Sequence, residues 1–336
     1  MLKFKEDEYR NSMKLICEAR VDAERAADEL SKSGYKNIFF TAVGGSLAPM
    51  MAIGEMAKQI TTLPVFIEQA AELLLRGHKS LGKDSVVVTM SKSGDTKETV
   101  EIAQWCKEQG ITVVCLTKNP ESPLAQSSEY LIPMRHENGV EYEYMLLYWL
   151  FFRMLNNNGD FEEYSEFADQ LEKLPENLLK AKAKFDPVAA QIAKNYYKEP
   201  YMMWIGGGET WGETYLFAMC LLEEMQWLRT KSVTSAEFFH GTLELVEDDV
   251  CVFLVKGEGK CRPIDDRVER FVEKYTNKFT VIDSKDYELE GIDDKFRWIL
   301  APTIISTLLV DRLAFHFEDN TGHSLDIRRY YRQFAY

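Results

Sequence analysis

What this sequence lacks narrows it first. No C-x-x-C pair occurs; the six cysteines stand apart at 17, 106, 115, 220, 251 and 261, mostly inside apolar periodic segments, as unpaired thiols of a reducing compartment do. The histidines at 78, 136, 316 and 323 have no metal-ligand spacing. No G-x-x-x-x-G-K-[ST] is present and no complete G-x-G-x-x-G follows a strand, while "GGGET" (206–210) lacks an acid at the distance a dinucleotide site needs. Neither a metal nor a cofactor is therefore expected. No apolar run approaches the ~20 residues of a membrane span, and "YMLLYWLFF" (144–152) reads as a buried helix. The stretch "MLKFKEDEYRNSMKLICEAR" has no apolar core and no small-residue cleavage site, so a cytoplasmic protein without membrane partners is the expectation. Positive charge is scarce too: 40 Lys+Arg against 54 Asp+Glu leave −14, which disfavours nucleic acid as a partner. An anionic small molecule is compatible with that charge, because a local cradle of backbone N–H groups overrides the global field.

What is present is a repeated rhythm. With 336 residues, 46% of them hydrophobic, the chain can bury two cores. In the first half "NIFFTAVGGS" (37–46), "PVFIEQ" (64–69), "SVVVTMSKSG" (85–94), "ITVVCLT" (111–117) and "EYLIPM" (129–134) read as strands separated by helical segments. In the second half "YMMWIGGGE" (201–209), "VCVFLVKGEG" (250–259), "FTVIDS" (279–284) and "RWILAP" (297–302) follow in the same order, with helices over 211–229 and 263–276. Alternation of this kind predicts parallel βαβ units and an α/β fold of two flavodoxin-like layers, each sheet flanked by helices. The expected division is a helical segment 1–36, an α/β domain 37–155, a helical connection 156–195, a second α/β domain 196–325 and a tail 326–336.

Two segments carry chemistry. "SKSGDT" (91–96) sets Ser91, Ser93 and Thr96 around Gly94 at a strand-to-helix turn, where free N–H groups and small hydroxyls suit a phosphate. Lys92 lies within the same turn, and Gly44, Gly45 and Ser46 on the neighbouring turn could close the other side. Ordinary helix capping by "SGDTKE" is the competing reading. The second half has "VKGEGK" at the corresponding place, so its hydroxyls are gone and one phosphate site per chain is expected. The other segment, "CLLEEMQWLRTKSVTSAEFFHGTLELVE" (220–247), holds Glu223 and Glu224 in an apolar helix, then a "TKSVTS" loop, then His240. Adjacent helical residues diverge by about 100°, so at most one of the two acids faces the apolar side. Such an acid can serve as a general base, or simply pair with Arg229.

Taken together, "VGGS" (43–46), "SKSGDT" (91–96) and a Glu sixteen residues before "HG" (240–241) resemble the SIS, or sugar isomerase, family, in particular the bacterial fructosamine-6-phosphate deglycases. "AEFFHGTLELVE" (236–247) is similar to their "GEFRHGPLEIVE", and "IRRYYRQFAY" to their "RRYY" ending, with Thr242 in place of the usual proline. The resemblance implies a double-SIS fold. It also implies that Ser91, Ser93 and Thr96 bind a sugar phosphate lined by Gly44 and Ser46, and that Glu224 is the catalytic base. His240 would be the ring-opening group, delivered in related isomerases across a homodimer. The implied reaction splits a fructosamine 6-phosphate, such as fructoselysine 6-phosphate, into glucose 6-phosphate and a free amino acid. Glu237, Arg328 and Arg329 could contact the charged amine portion. An aldose–ketose isomerase or aminosugar deaminase on the same fold, and a non-catalytic sugar-phosphate sensor, are the rival readings.

Overall fold

The apolar runs become the middle strands of two parallel sheets. The computed structural model describes residues 1–136 and 139–334, which fall into two compact units, Lys5–Pro175 and Met1–Phe4 with Glu176–Tyr336. The last two residues of the 326–336 tail lie outside the described residues.

In the first unit β1 (Asn37–Ala42), β2 (Val65–Gln69), β3 (Ser85–Met90), β4 (Thr112–Thr117) and β5 (Tyr130–Pro133) form one sheet in the order β2-β1-β3-β4-β5. All pairings are parallel, with Phe39 opposite Val87 and Val87 opposite Val113. Every residue of β1 and β3 is buried, which explains why these strands read as unbroken apolar runs: both faces are covered by helices. One cover is the helix Glu141–Asn158, in which Tyr144 to Phe152 are all buried and Phe151 meets Phe40 edge-on at 5.7 Å. The "YMLLYWLFF" run is thus a core helix, as expected.

The second unit repeats the plan with four strands, β6 (Met202–Gly206), β7 (Thr230–Thr234), β8 (Cys251–Lys256) and β9 (Phe279–Asp283), in the order β7-β6-β8-β9. Two expectations are corrected here. "RWILAP" is not a strand but part of the helix Asp294–Leu308. A six-residue apolar run has no period that separates a buried helix from a buried strand, and β9 ends the sheet without a further partner. "TKSVT" is not a loop but the edge strand β7; only Val233 of its five residues is buried, so it carries almost no apolar pattern. The expected helix over 211–229 is shorter and mixed, a short α-helix Trp211–Tyr215 running into a π-helix Leu216–Glu223.

The helical stretch Asp294–Thr321 is long and apolar enough to cross a membrane by composition, against the expectation that no segment is; most of it is buried in the protein, as a core helix would be. All six cysteines are unpaired. Trp204 on β6 has no exposure and stacks on Phe253 of β8 with ring centroids 4.1 Å apart and planes 5° from parallel. Trp204→Ala should cost about 3–5 kcal/mol of unfolding free energy, read from a urea titration, because a cavity replaces the ring between two paired strands.

Candidate active site

The Ser91–Thr96 loop begins where β3 ends and stops where the helix Lys97–Glu108 begins. Thr96 sits at the helix N-cap, yet its hydroxyl makes no capping hydrogen bond. It lies instead 2.9 Å from the Ser91 hydroxyl, whose oxygen also accepts the Gly94 N–H at 3.1 Å. The Ser93 hydroxyl donates to Asp95. Simple side-chain capping therefore does not account for the cluster. The loop is held rigidly from β4: Lys118 N–H donates to the Lys92 carbonyl at 3.1 Å, and Leu124 N–H to the Gly94 carbonyl at 3.1 Å. Gly94 has φ +73°, and a Cβ there would come within 2.2 Å of the Ser122 oxygen, so packing and a left-handed turn both demand glycine. Gly44–Ser46 forms a tight turn after β1, with Gly44 at φ +53°. Since β1 and β3 are parallel neighbours, this turn and the hydroxyl loop leave the same edge of the sheet, on either side of the point where strand order reverses.

In the second unit the acid is displayed by a break in helix geometry. The N–H groups of Glu224 and Gln226 reach back five residues, to the carbonyls of Met219 (3.0 Å) and Leu221 (3.1 Å), a wider turn than an α-helix makes. Glu223 is exposed and accepts the Thr230 hydroxyl at 2.5 Å. Glu224 is half-buried and accepts from Arg328 Nε at 2.6 Å, so its partner is Arg328, not Arg229. Arg328 also donates to the Leu325 carbonyl at 2.5 Å. Trp227 follows with φ +57°, its ring tilted 50° against that of His323 at 4.2 Å and lying under the Arg329 guanidinium at 4.2 Å. An open cavity of about 1070 Å³ is lined by Glu223, Glu224, Trp227, Arg229, Arg328 and Arg329, with tail aromatics on its rim.

His240 and Glu237 are not in that wall. Both are exposed near the short helix Ser235–Phe238 that follows β7, where the His240 N–H donates to the Glu237 carbonyl at 2.9 Å. The structure thus gathers Ser91, Ser93 and Thr96, and separately Glu224, Arg328 and Arg329, but leaves His240 and Glu237 outside the Glu224 cavity. In the sequence Trp227 reads only as one of the apolar residues around the two acids, and its place in the cavity wall was not foreseen. Among the described residues no His, Cys, Asp and Glu cluster suited to a metal is present.

Buried acids of the second unit also escaped notice. Glu209 is 2% exposed, and burial is the main reason its carboxyl holds a proton more tightly than usual. Asp265 is 1% exposed and is pushed up to about 7, chiefly by burial, although the Ser235 hydroxyl donates to it at 2.5 Å. Glu209 reinforces that rise, while Lys256 and Arg262 oppose it.

Comparison with known proteins now adds its part. Residues 30–154 match the SIS domain family. The chain is 32% identical to the fructosamine deglycase FrlB of Bacillus subtilis over 324 residues, spanning 93% of this chain and 97% of that protein. The chain belongs to the SIS family. It is 23% identical to the fructoselysine 6-phosphate deglycase of Escherichia coli, over 90% of this chain and 88% of that one. A Bacillus subtilis crystal structure described as a candidate phosphosugar isomerase superposes with a TM-score of 0.89 at 28% identity, over 95% of this chain and 99% of that one. With such neighbours, the two parallel sheets are a double-SIS α/β fold.

The titration of Asp265 gives a measurable consequence. Its folded-state value lies above that of an unfolded Asp, so the folded state favours the protonated form, and the stability this gives is lost as pH rises from about 4 through about 7. Asp265→Asn should flatten the fall in stability over that window, as measured by urea midpoints at pH 5 and pH 8.

Proposed function

We propose that the chain is a cytoplasmic fructosamine-6-phosphate deglycase, with fructoselysine 6-phosphate as the first substrate to try. The observation that carries this reading is the Glu224 cavity: a carboxylate held by Arg328, facing a space with both signs of charge and an aromatic wall. A sugar joined to a zwitterionic amino acid needs such a space, whereas a bare hexose phosphate has no use for it. The resemblance over nearly the whole length to a fructosamine deglycase supports the same reading.

In this mechanism Ser91, Ser93 and Thr96 anchor the phosphate with Gly44, Gly45 and Ser46, turning later steps into positioned ones. His240 moves a proton from the anomeric hydroxyl to the ring oxygen and opens the ring. His240 is assigned, as the family resemblance implies, to the site of a second subunit in a homodimer. Glu224 takes a proton from carbon 1, giving an enaminol, and a proton is returned at carbon 2. The resulting imine at carbon 1 adds water and separates into glucose 6-phosphate and the free amine. Arg328 holds the Glu224 carboxylate in place, and Arg329 is available for the carboxylate of the amino acid. No step calls for a cofactor.

A coupled assay for glucose 6-phosphate, with fructoselysine 6-phosphate and its asparagine analogue, tests the reading. Release from either confirms a deglycase and names the amine; turnover only of glucosamine or fructose 6-phosphate moves the chain to a deaminase or isomerase. Glu224→Gln should lower kcat by roughly 10²–10⁴-fold with KM little changed. Mixing two inactive variants, Glu224→Gln and His240→Ala, should restore about a quarter of the activity if each site of a twofold dimer draws on both chains. No recovery on mixing would assign both residues to one chain.

A further inference from the structure

The two halves set different groups at one point of the repeat. By strand order β1 corresponds to β6 and β3 to β8. The turn after β1 has Gly44 at φ +53°, and the turn after β6 has Gly208 at the same φ. One residue on, the first half has Gly45 and the second has Glu209. Likewise Thr41 and Ile205, each three residues before that glycine, pair with Thr89 and Leu254, so the loop Ser91–Gly94 after β3 corresponds to Lys256–Gly259 at the end of β8.

The Glu209 side chain runs into that second loop. Its Oε1 accepts the N–H of Glu258 at 2.9 Å and of Gly259 at 2.6 Å. A Cβ on Gly257 would come within 2.3 Å of Oε1, and one on Gly259 within 2.5 Å of Oε2. The glycines are therefore the condition for a carboxylate to lie here, in a loop that keeps neither of the first half's two serines. Arg262 braces the loop from behind, donating to the Gly257 carbonyl at 2.7 Å while paired with Asp283. A carboxylate and a phosphate make the same demand on a loop: oxygen acceptors met by converging backbone N–H groups. One tethered to the chain is always present, so a free anion in solution competes poorly with it.

We propose that Glu209 is a built-in anion that closes a second phosphate cradle, and that the residue at position 45 or 209 decides which half of the chain accepts a phosphate. Glycine at position 45 leaves the first cradle open, while glutamate at 209 fills the second. The first-half clause rests on the phosphate reading of Ser91–Thr96; the second-half clause stands on the Glu209 contacts alone.

Equilibrium dialysis with labelled inorganic phosphate tests it, the count per chain being compared between variants whose fold is checked by circular dichroism. E209G should bind one phosphate more than the unsubstituted chain. E209Q, which keeps a side chain of the same shape in the loop, should bind no more. An unchanged count in folded E209G overturns the proposal whether or not the first cradle binds, because the readout is a difference. Binding by E209G with none by the unsubstituted chain supports the plug and removes the phosphate reading of the first loop. Should E209G fail to fold, G45E carries the test, since Gly45 is outside the left-handed region. Loss of the phosphate held by the unsubstituted chain, with an unchanged spectrum, supports the proposal; retention overturns it.

Discussion

Among the described residues all seven strand pairings are parallel, and the placement of the candidate chemistry follows from that. Parallel strands deliver every strand-to-helix turn to one edge of the sheet, so residues about fifty apart in sequence, Gly44–Ser46 and Ser91–Thr96, leave adjacent strands side by side. The same pairing demands that the central strands be buried on both faces, which fixes their composition and makes the edge rigid.

The second unit uses the same plan for a different end. Its acid is displayed where the helix geometry fails, at a π-turn followed by a left-handed tryptophan, and it is held by an arginine a hundred residues on. Irregular backbone is costly unless neighbours fix it. Here the Glu224–Arg328 pair and the packing of Trp227 between His323 and Arg329 supply that support. The second unit also holds Glu209 and Asp265, two nearly fully buried acids in a chain already rich in negative charge. Their burial makes sense as local satisfaction: Glu209 by the N–H groups of the second loop, Asp265 by the Ser235 hydroxyl.

Much of the fold was legible in advance, and the exceptions have physical causes. Strands β1, β3, β4, β6 and β8 read clearly because double burial writes long apolar runs. β7 was invisible because an edge strand buries so little, and "RWILAP" misled because burial on all sides erases periodicity. Of the site, "SKSGDT" was visible as a cluster of hydroxyls at a strand end. Trp227 was not, since a lone aromatic beside an apolar helix looks like any core residue.

By itself, then, the sequence determined the parallel α/β repeat and the position of the hydroxyl loop, because these depend on local composition and on burial patterns written along the chain. Tertiary structure alone decided that Glu224 pairs with Arg328 and not Arg229, that His240 stands apart from the Glu224 cavity, and that Glu209 fills the loop its own half had emptied of serines. Those choices depend on which distant side chains the sheet edges bring within hydrogen-bonding reach, and no spacing along the chain encodes that distance.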